Sequence, residues 1–398
     1  MKTYSKIVSV LFFIFFSLPI LSPSINGNTV YIFWIMPIID IFFDKYILNL
    51  AKYYLKDLNN NKIKCIPILI IIILMIWLVF IGKMMAAVKI LIIIYILFYL
   101  KYCSNNGYFK YLYMAVNINI IIAIIQFILY YTPFRSVAFF IGPTNIAHLI
   151  YGNYATLTYD NMFPIFGLVR VSGWSREAGF FASLIITTSI VYMYDKQISK
   201  KTYQYILFVI AFCISFSKIS FISVIFLIFY VMRKFVNKIP GFLICIVVYL
   251  GITFVAILAN NIGFFDKFEN TTWTHRFSGY VLQTKLNTNE IIYGVDNLNS
   301  INENAKKNCY FLEYINKYDV VAGLSNLVVH YGVITAIMIY IVSCCLRINS
   351  LGYIFVILFT CNVTLFTSDS FVMLVYYVVL MMQEKDKKME VSDENINN

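Results

Sequence analysis

Two arginines and a glutamate stand close together in Arg170-Val-Ser-Gly-Trp-Ser-Arg176-Glu177, just before an apolar run that opens at Ala178. Arginine keeps its charge and can grip phosphate oxygens through two parallel N–H donors. A carboxylate beside it is suited to accept a proton from an attacking hydroxyl. The chemistry these types suggest is a group transfer in which a phosphate-type leaving group departs against fixed positive charge. Arg276, directly after His275, is the third arginine suited to that task. Arg135 follows Pro133-Phe134 and reads more simply as an interface anchor. Glu177 has two readings that the residues leave open. It is a general base, or it is a first-turn acid completing the N-terminus of the helix that follows, with Ser175 as N-cap.

Other chemistries find little support. There is no phosphate-cradling GxxxxGK[ST] loop, and no His/Asp/Glu set has metal-ligand spacing. Asp266-x-x-Glu269 comes nearest and reads as a solvated surface pair. Of the 8 cysteines, Cys65, Cys213, Cys245, Cys344, Cys345 and Cys361 lie in apolar runs, Cys103 in a short basic loop and Cys309 in a long polar stretch. That distribution suggests neither a disulfide framework nor a zinc site. No metal or cofactor is expected. Of the histidines His148, His275 and His330, only His275 sits beside a candidate arginine.

The elements that must position these residues are set by composition. The 398 residues are 61% hydrophobic and 13% charged, with a mean hydropathy of +0.78, so an all-α integral membrane protein is expected. The net charge of +12 comes from lysines beside apolar runs, where cations set topology and meet anionic lipid rather than nucleic acid. The apolar runs predict about twelve transmembrane helices within residues 1–383. With the N-terminus in the cytoplasm, the short cytoplasmic loops are basic: Lys45 to Lys64, Lys101 to Lys110, Lys196 to Lys201, and Arg233 to Lys238. Both termini are then cytoplasmic, and two long loops, about 132–177 and 259–326, lie outside. Residues 384–398 read as a disordered cytoplasmic tail. Thr271 to Leu286 has the period of a short interfacial helix. Asp40 and Lys89 fall inside spans, where charge must face protein or water. Ser217-Lys218 and Asp369 break apolar runs on the outer side, and Asp369 reads first as a turn.

The motifs resemble a known family. Arg170-x-x-Gly173-x-x-x-Glu177-Ala178-Gly179-x-Phe181 is similar to the R-x-x-G-x-x-x-E-P-x-x-F segment of the Wzy-type O-antigen and capsule repeat-unit polymerases and their ligase relatives. Ser215-Phe-Ser-Lys218-Ile-Ser resembles that family's T-x-S-R-x-x element. His275-Arg276 and Ile292-Tyr-Gly294-Val-Asp296 resemble its loop arginine and G-x-G stretch. Ser325-Asn326, then Tyr331-Gly332-Val-Ile, resembles its H-N-x-x-L…G-I span entry. The departures are Ala178 for proline, Lys218 for arginine, Asp296 for a glycine, and Ser325 where the ligases carry a histidine.

The resemblance implies a metal-independent glycosyltransferase at the outer face of the bacterial cytoplasmic membrane. It would transfer a growing glycan from undecaprenyl pyrophosphate to a single lipid-linked oligosaccharide repeat unit. Arg170 and Arg276 would bind pyrophosphate, Arg176 would assist, and Glu177 would orient or deprotonate the acceptor hydroxyl. His275, Lys218 and Asn326 would contact substrate. The expected partners are the lipid-linked substrates and the bilayer, with a chain-length regulator as a protein partner left open. An O-antigen ligase, a lipid-linked oligosaccharide flippase, and a secondary transporter coupled through Asp40 and Lys89 are the rival readings. The charge cluster outside the spans favours the enzyme, because transporters concentrate function at mid-membrane.

Overall fold

The computed structural model describes residues 2–25, 28–43, 52, 65–159, 162, 164–165, 167–217, 219–267, 271–309, 311–312, 322–361, 363, 365–367 and 369–396. The described chain is mostly helical, with two short antiparallel hairpins, Ser24–Ile25 with Asn28–Thr29 (β1, β2) and Pro164–Ile165 with Leu168–Val169 (β3, β4). Each apolar run of the sequence carries a helix. Among the described residues, four helices are long and apolar enough to cross a membrane: Met84–Asn105 (α4), Phe109–Tyr130 (α5), Gly241–Asn261 (α12) and Ser325–Cys345 (α16). The other apolar helices are shorter, for local reasons. Trp34 closes a single 3-10 turn before Met36–Phe43 (α2). Ala178–Tyr194 (α8) starts only after the polar segment and stops at Asp195. The helices are thus compatible with a multi-pass membrane protein.

The chain divides into two compact units. The first comprises 1–56, 92–225 and 369–381. Lys2–Ser17 (α1) packs on α2 and α5, and its phenylalanines form an aromatic core. Phe12 meets Phe33 at 5.9 Å and Tyr99 at 4.8 Å, and Phe13 meets Phe109 at 5.8 Å. All five of these side chains are buried. Helix α5 also contacts α8 and Thr202–Ser215 (α9). Its exposed face is the stripe Met114, Ile118, Ile121, Ile125 and Ile128, spaced three and four apart as one side of a helix requires. Its buried face carries Asn119 and Gln126. The stretch after α5 forms Arg135–Phe140 (α6), Pro143–Tyr151 (α7) and the β3–β4 hairpin, so the first long loop is built rather than featureless.

The second unit comprises 57–91, 226–368 and 382–398. In it α16 packs on Cys65–Phe80 (α3), and α12 packs on Thr271–Leu282 (α13) and Ser350–Phe359 (α17). Helix α13 matches the helical period seen in the sequence. Thr288–Tyr293 (α14) follows, opened by a capping box in which Asn287 and Glu290 exchange side-chain and backbone bonds. Phe265, Tyr280, Leu298, Ile301, Phe311 and Val329 share one apolar cluster, so the second long loop has its own core. The last helix, Ser370–Ile396 (α18), continues through the residues read from sequence as a disordered tail. Glu384-Lys-Asp-Lys-Lys-Met-Glu is rich in good helix formers.

Candidate functional site

The segment from Arg170 to Phe181 is placed by α5. Asn119 and Gln126 are seven apart, hence on one face of the helix, and both reach into a turn at Gly173–Ser175. Gln126 Oε1 accepts from the Gly173 amide at 3.0 Å, and its Nε2 donates to the carbonyls of Gly173 at 3.2 Å and Ile141 at 3.1 Å. Asn119 Oδ1 accepts from the Trp174 amide at 2.7 Å, and Nδ2 donates to Ser175 Oγ at 3.0 Å. Polar backbone packed against a mostly apolar helix needs such partners. Gly173 has φ +56°, and a Cβ there would stand 2.3 Å from Asn119 Oδ1, so the approach requires glycine. Trp174 Nε1 donates to Ile141 at 3.2 Å and locks the turn to the end of α6.

The turn places Arg176 and Glu177 at the start of α8. Arg176 Nε donates to the Leu157 carbonyl at 3.2 Å, and Nη1 lies 3.3 Å from both the Tyr31 hydroxyl and Asp369 Oδ1. Its guanidinium lies 5.2 Å over the Phe180 ring. Burial lowers the pKa of Arg176, opposed by the nearby Glu177 and Tyr159. Burial also pushes the Asp369 carboxyl up to about 7, while its 3.3 Å ion pair with Arg176 favours the charged form.

Glu177 itself is the N-cap residue of α8, in extended conformation, and its side chain caps no amide. This differs from the expected arrangement, with Ser175 as cap and Glu177 inside the first turn: the Ser175 hydroxyl is instead engaged by Asn119. The Glu177 carboxylate lies back over the helix start. A Cβ on Gly179 would stand 3.0 Å from Glu177 Oε1 and 3.7 Å from Ser217 Oγ. Ser217 follows Phe216, whose φ of 40° is unusual for a bulky residue. Backbone strain of that kind often accompanies sites. Ser217 is buried, and the Val171 amide donates to the Ile214 carbonyl at 3.3 Å, so the Ser215–Ser217 stretch and the arginine segment are neighbours. Lys218 lies outside the described residues. Arg170 follows β4 and is half-buried.

His275 and Arg276 sit on α13 and are half-buried, while Asn326 opens α16 and is buried. These three belong to the second unit, and Arg170, Arg176 and Glu177 to the first. In the second unit two further sequence motifs meet. Val295 N–H donates to the Val329 carbonyl at 2.7 Å. Gly294 and Gly332 both have positive φ, and a Cβ on Gly332 would stand 2.0 Å from the Ile292 carbonyl oxygen. Tyr293 stacks on Trp77 at 5.8 Å, Trp77 donates to Thr335 Oγ1 at 3.2 Å, and Lys83 pairs with Asp296. The Ile292–Asp296 stretch is therefore docked on α16.

Sequence reasoning passed over Asn119, Gln126 and Tyr31, and read Asp369 as a turn. Two amides seven apart in a mostly apolar helix were the available signal; the third amide, Asn117, bonds Gln204 instead. Asp40, weighed as a transport residue, is buried and accepts from Ser5 Oγ at 2.6 Å and the Tyr99 hydroxyl at 2.8 Å. Among the described residues, no group of three or more His, Cys, Asp and Glu side chains could hold a metal ion. No protein-family model matches the chain, and neither curated proteins nor solved structures include a significant match.

Proposed function

We propose that the protein polymerises undecaprenyl pyrophosphate-linked oligosaccharide repeat units into O-antigen or capsular polysaccharide at the outer face of a bacterial cytoplasmic membrane. The observation that carries this reading is the fixed guanidinium of Arg176, held on four sides, with the Glu177 carboxylate as its chain neighbour at the start of α8. A preorganised cation of this kind stabilises charge developing on a departing pyrophosphate. The acceptor hydroxyl attacks the anomeric carbon of the donor glycan, the bond to the pyrophosphate oxygen breaks, and Glu177 takes the hydroxyl proton. Arg170 adds a cation in the same unit, with Lys218 as a substrate contact; by the resemblance, Arg276, His275 and Asn326 of the second unit also act on substrate.

The expected membrane alternation is supported by bonds inside each unit. In the first, Tyr151–Leu21, Thr29–Thr156 and Arg176–Asp369 join segments assigned to the outside, and Gln197–Asn105 joins segments assigned to the inside. In the second, Lys83–Asp296 joins outer segments, whereas Ser350–Ile239 and Gln383–Leu346 join inner ones.

Deleting the gene tests the reading in the cell. Surface glycan should then carry a single repeat unit in place of long chains, as seen on a denaturing gel. Complete loss of surface glycan would overturn the proposal in favour of a flippase. Unchanged chain length would remove any role in extension.

A further inference from the structure

Asp369 stands at the junction before α18, where its carbonyl accepts from the amides of Val372 and Met373. The residue is only 6% exposed. Its carboxylate meets Arg176 Nη1, which lies equally close to the Tyr31 hydroxyl. The guanidinium face covers Phe180, and Phe180 meets Phe371 edge-on at 5.1 Å. Four chain segments therefore fix one cation and one carboxylate in a largely apolar setting. Replacing a buried ion pair by apolar residues is often neutral or stabilising, so stability is a weak reason for this one. Its placement next to Glu177 is a better one.

We propose that Arg176 and Asp369 form a proton-linked anion site, in which the guanidinium takes pyrophosphate oxygens and Asp369 binds a proton as the anion arrives. This rests on the reading that the segment receives a lipid-linked pyrophosphate. The physical reason is competition. A carboxylate and a phosphate sharing one guanidinium in a desolvated setting repel each other, and the group more easily neutralised gives way. Asp369 is that group, because burial already holds its carboxyl near 7, whereas a pyrophosphate diester stays ionised. Among the described residues, groups facing the pair include Glu177, Tyr159 and Tyr31. Glu177 is half-buried and folded over Gly179. It strengthens the positive state of Arg176 without replacing Asp369 on Nη1.

The sign follows from linkage. Asp369 has a raised pKa in the free protein, and a bound anion raises it further, so the complex holds more protons than the free protein around and above pH 7. Affinity is then greatest where Asp369 is already protonated and falls as pH rises through about 7.

Calorimetry of the full-length protein in lipid nanodiscs, with symmetrical dimethyl pyrophosphate as the probe, tests this directly. That diester does not titrate near neutrality, so proton uptake reports on the protein. The wild-type enthalpy should differ between two buffers of different ionisation enthalpy, corresponding to uptake of up to one proton. Its dissociation constant should rise about eightfold from pH 6.5 to pH 8, with the Asp369→Asn profile flat. Arg176→Ala should bind least at every pH. Wild-type binding with a buffer-independent enthalpy overturns the proton linkage and leaves the pyrophosphate reading standing. No wild-type binding at any pH overturns both. The buffer comparison needs only wild-type protein, so the proposal is decided even if Asp369→Asn fails to fold.

Discussion

Arg176→Ala should lower the rate of glycan chain extension about 100-fold to 1,000-fold, with Arg170→Ala and Arg276→Ala also removing long chains. The expectation for Arg176 follows from its restraints. Its Nε and Nη1 already hold the Leu157 carbonyl, the Tyr31 hydroxyl and Asp369, and its face rests on Phe180. A guanidinium so held needs little reorganisation when charge develops beside it, and alanine leaves the same site with an uncompensated carboxylate. Arg176→Lys should recover little, because a point charge cannot replace the planar fork. Glu177→Gln should also abolish long chains, by about 100-fold or more for a lost general base. The readout is chain length on a denaturing gel, with membrane insertion of each variant checked by immunoblot. Normal chain length in Arg176→Ala and Glu177→Gln would mean that the buried pair and the carboxylate serve α8 alone.

Gly332→Ala should destabilise the second unit by about 3–5 kcal/mol. Gly332 interrupts α16 with φ 82° and ψ 160°, a region in which only glycine is comfortable. A methyl group there would stand 2.0 Å from the Ile292 carbonyl oxygen, and backbone cannot yield as a flexible side chain does. The strand-like contact from Val295 to Val329 and the stacking of Tyr293 on Trp77 depend on the same approach. Thermal unfolding of the detergent-solubilised protein measures the loss, expected as roughly 6–20 °C at 2–4 °C per kcal/mol. Gly251→Ala is the internal comparison, since nothing lies within 4 Å of its added Cβ. Equal midpoints for the two variants would contradict the clasp between Gly294 and Gly332.

Much of the helical layout was legible in the chain because long apolar runs state their own secondary structure. The period of Thr271 to Leu286 announced α13 for the same reason. The length of individual helices was less legible. Where Trp34 closes a 3-10 turn or Asp195 caps α8, the apolar run alone does not reveal the stop. The arginine segment was recognisable from charge placed beside an apolar run. What holds it was not, since Asn119 and Gln126 are not distinguished from Asn117 in the same helix until their common face is considered. Asp369 was read as a turn because its partner Arg176 is 193 residues away, and ion pairs at such separation leave no local pattern. Gly294 and Gly332 were both noticed in motifs, yet their mutual approach is a property of packing, and only the positive φ of each reveals why a side chain is excluded. The terminal helix runs on through polar residues that are good helix formers.

The most direct test of the proposed polymerase is reconstitution of the purified protein in liposomes with a single lipid-linked repeat unit and no nucleotide sugar. Wild-type protein should convert that substrate into a ladder of lipid-linked oligomers, releasing one undecaprenyl pyrophosphate for each unit joined. A substrate that stays monomeric, or that crosses the bilayer without being extended, would contradict the account.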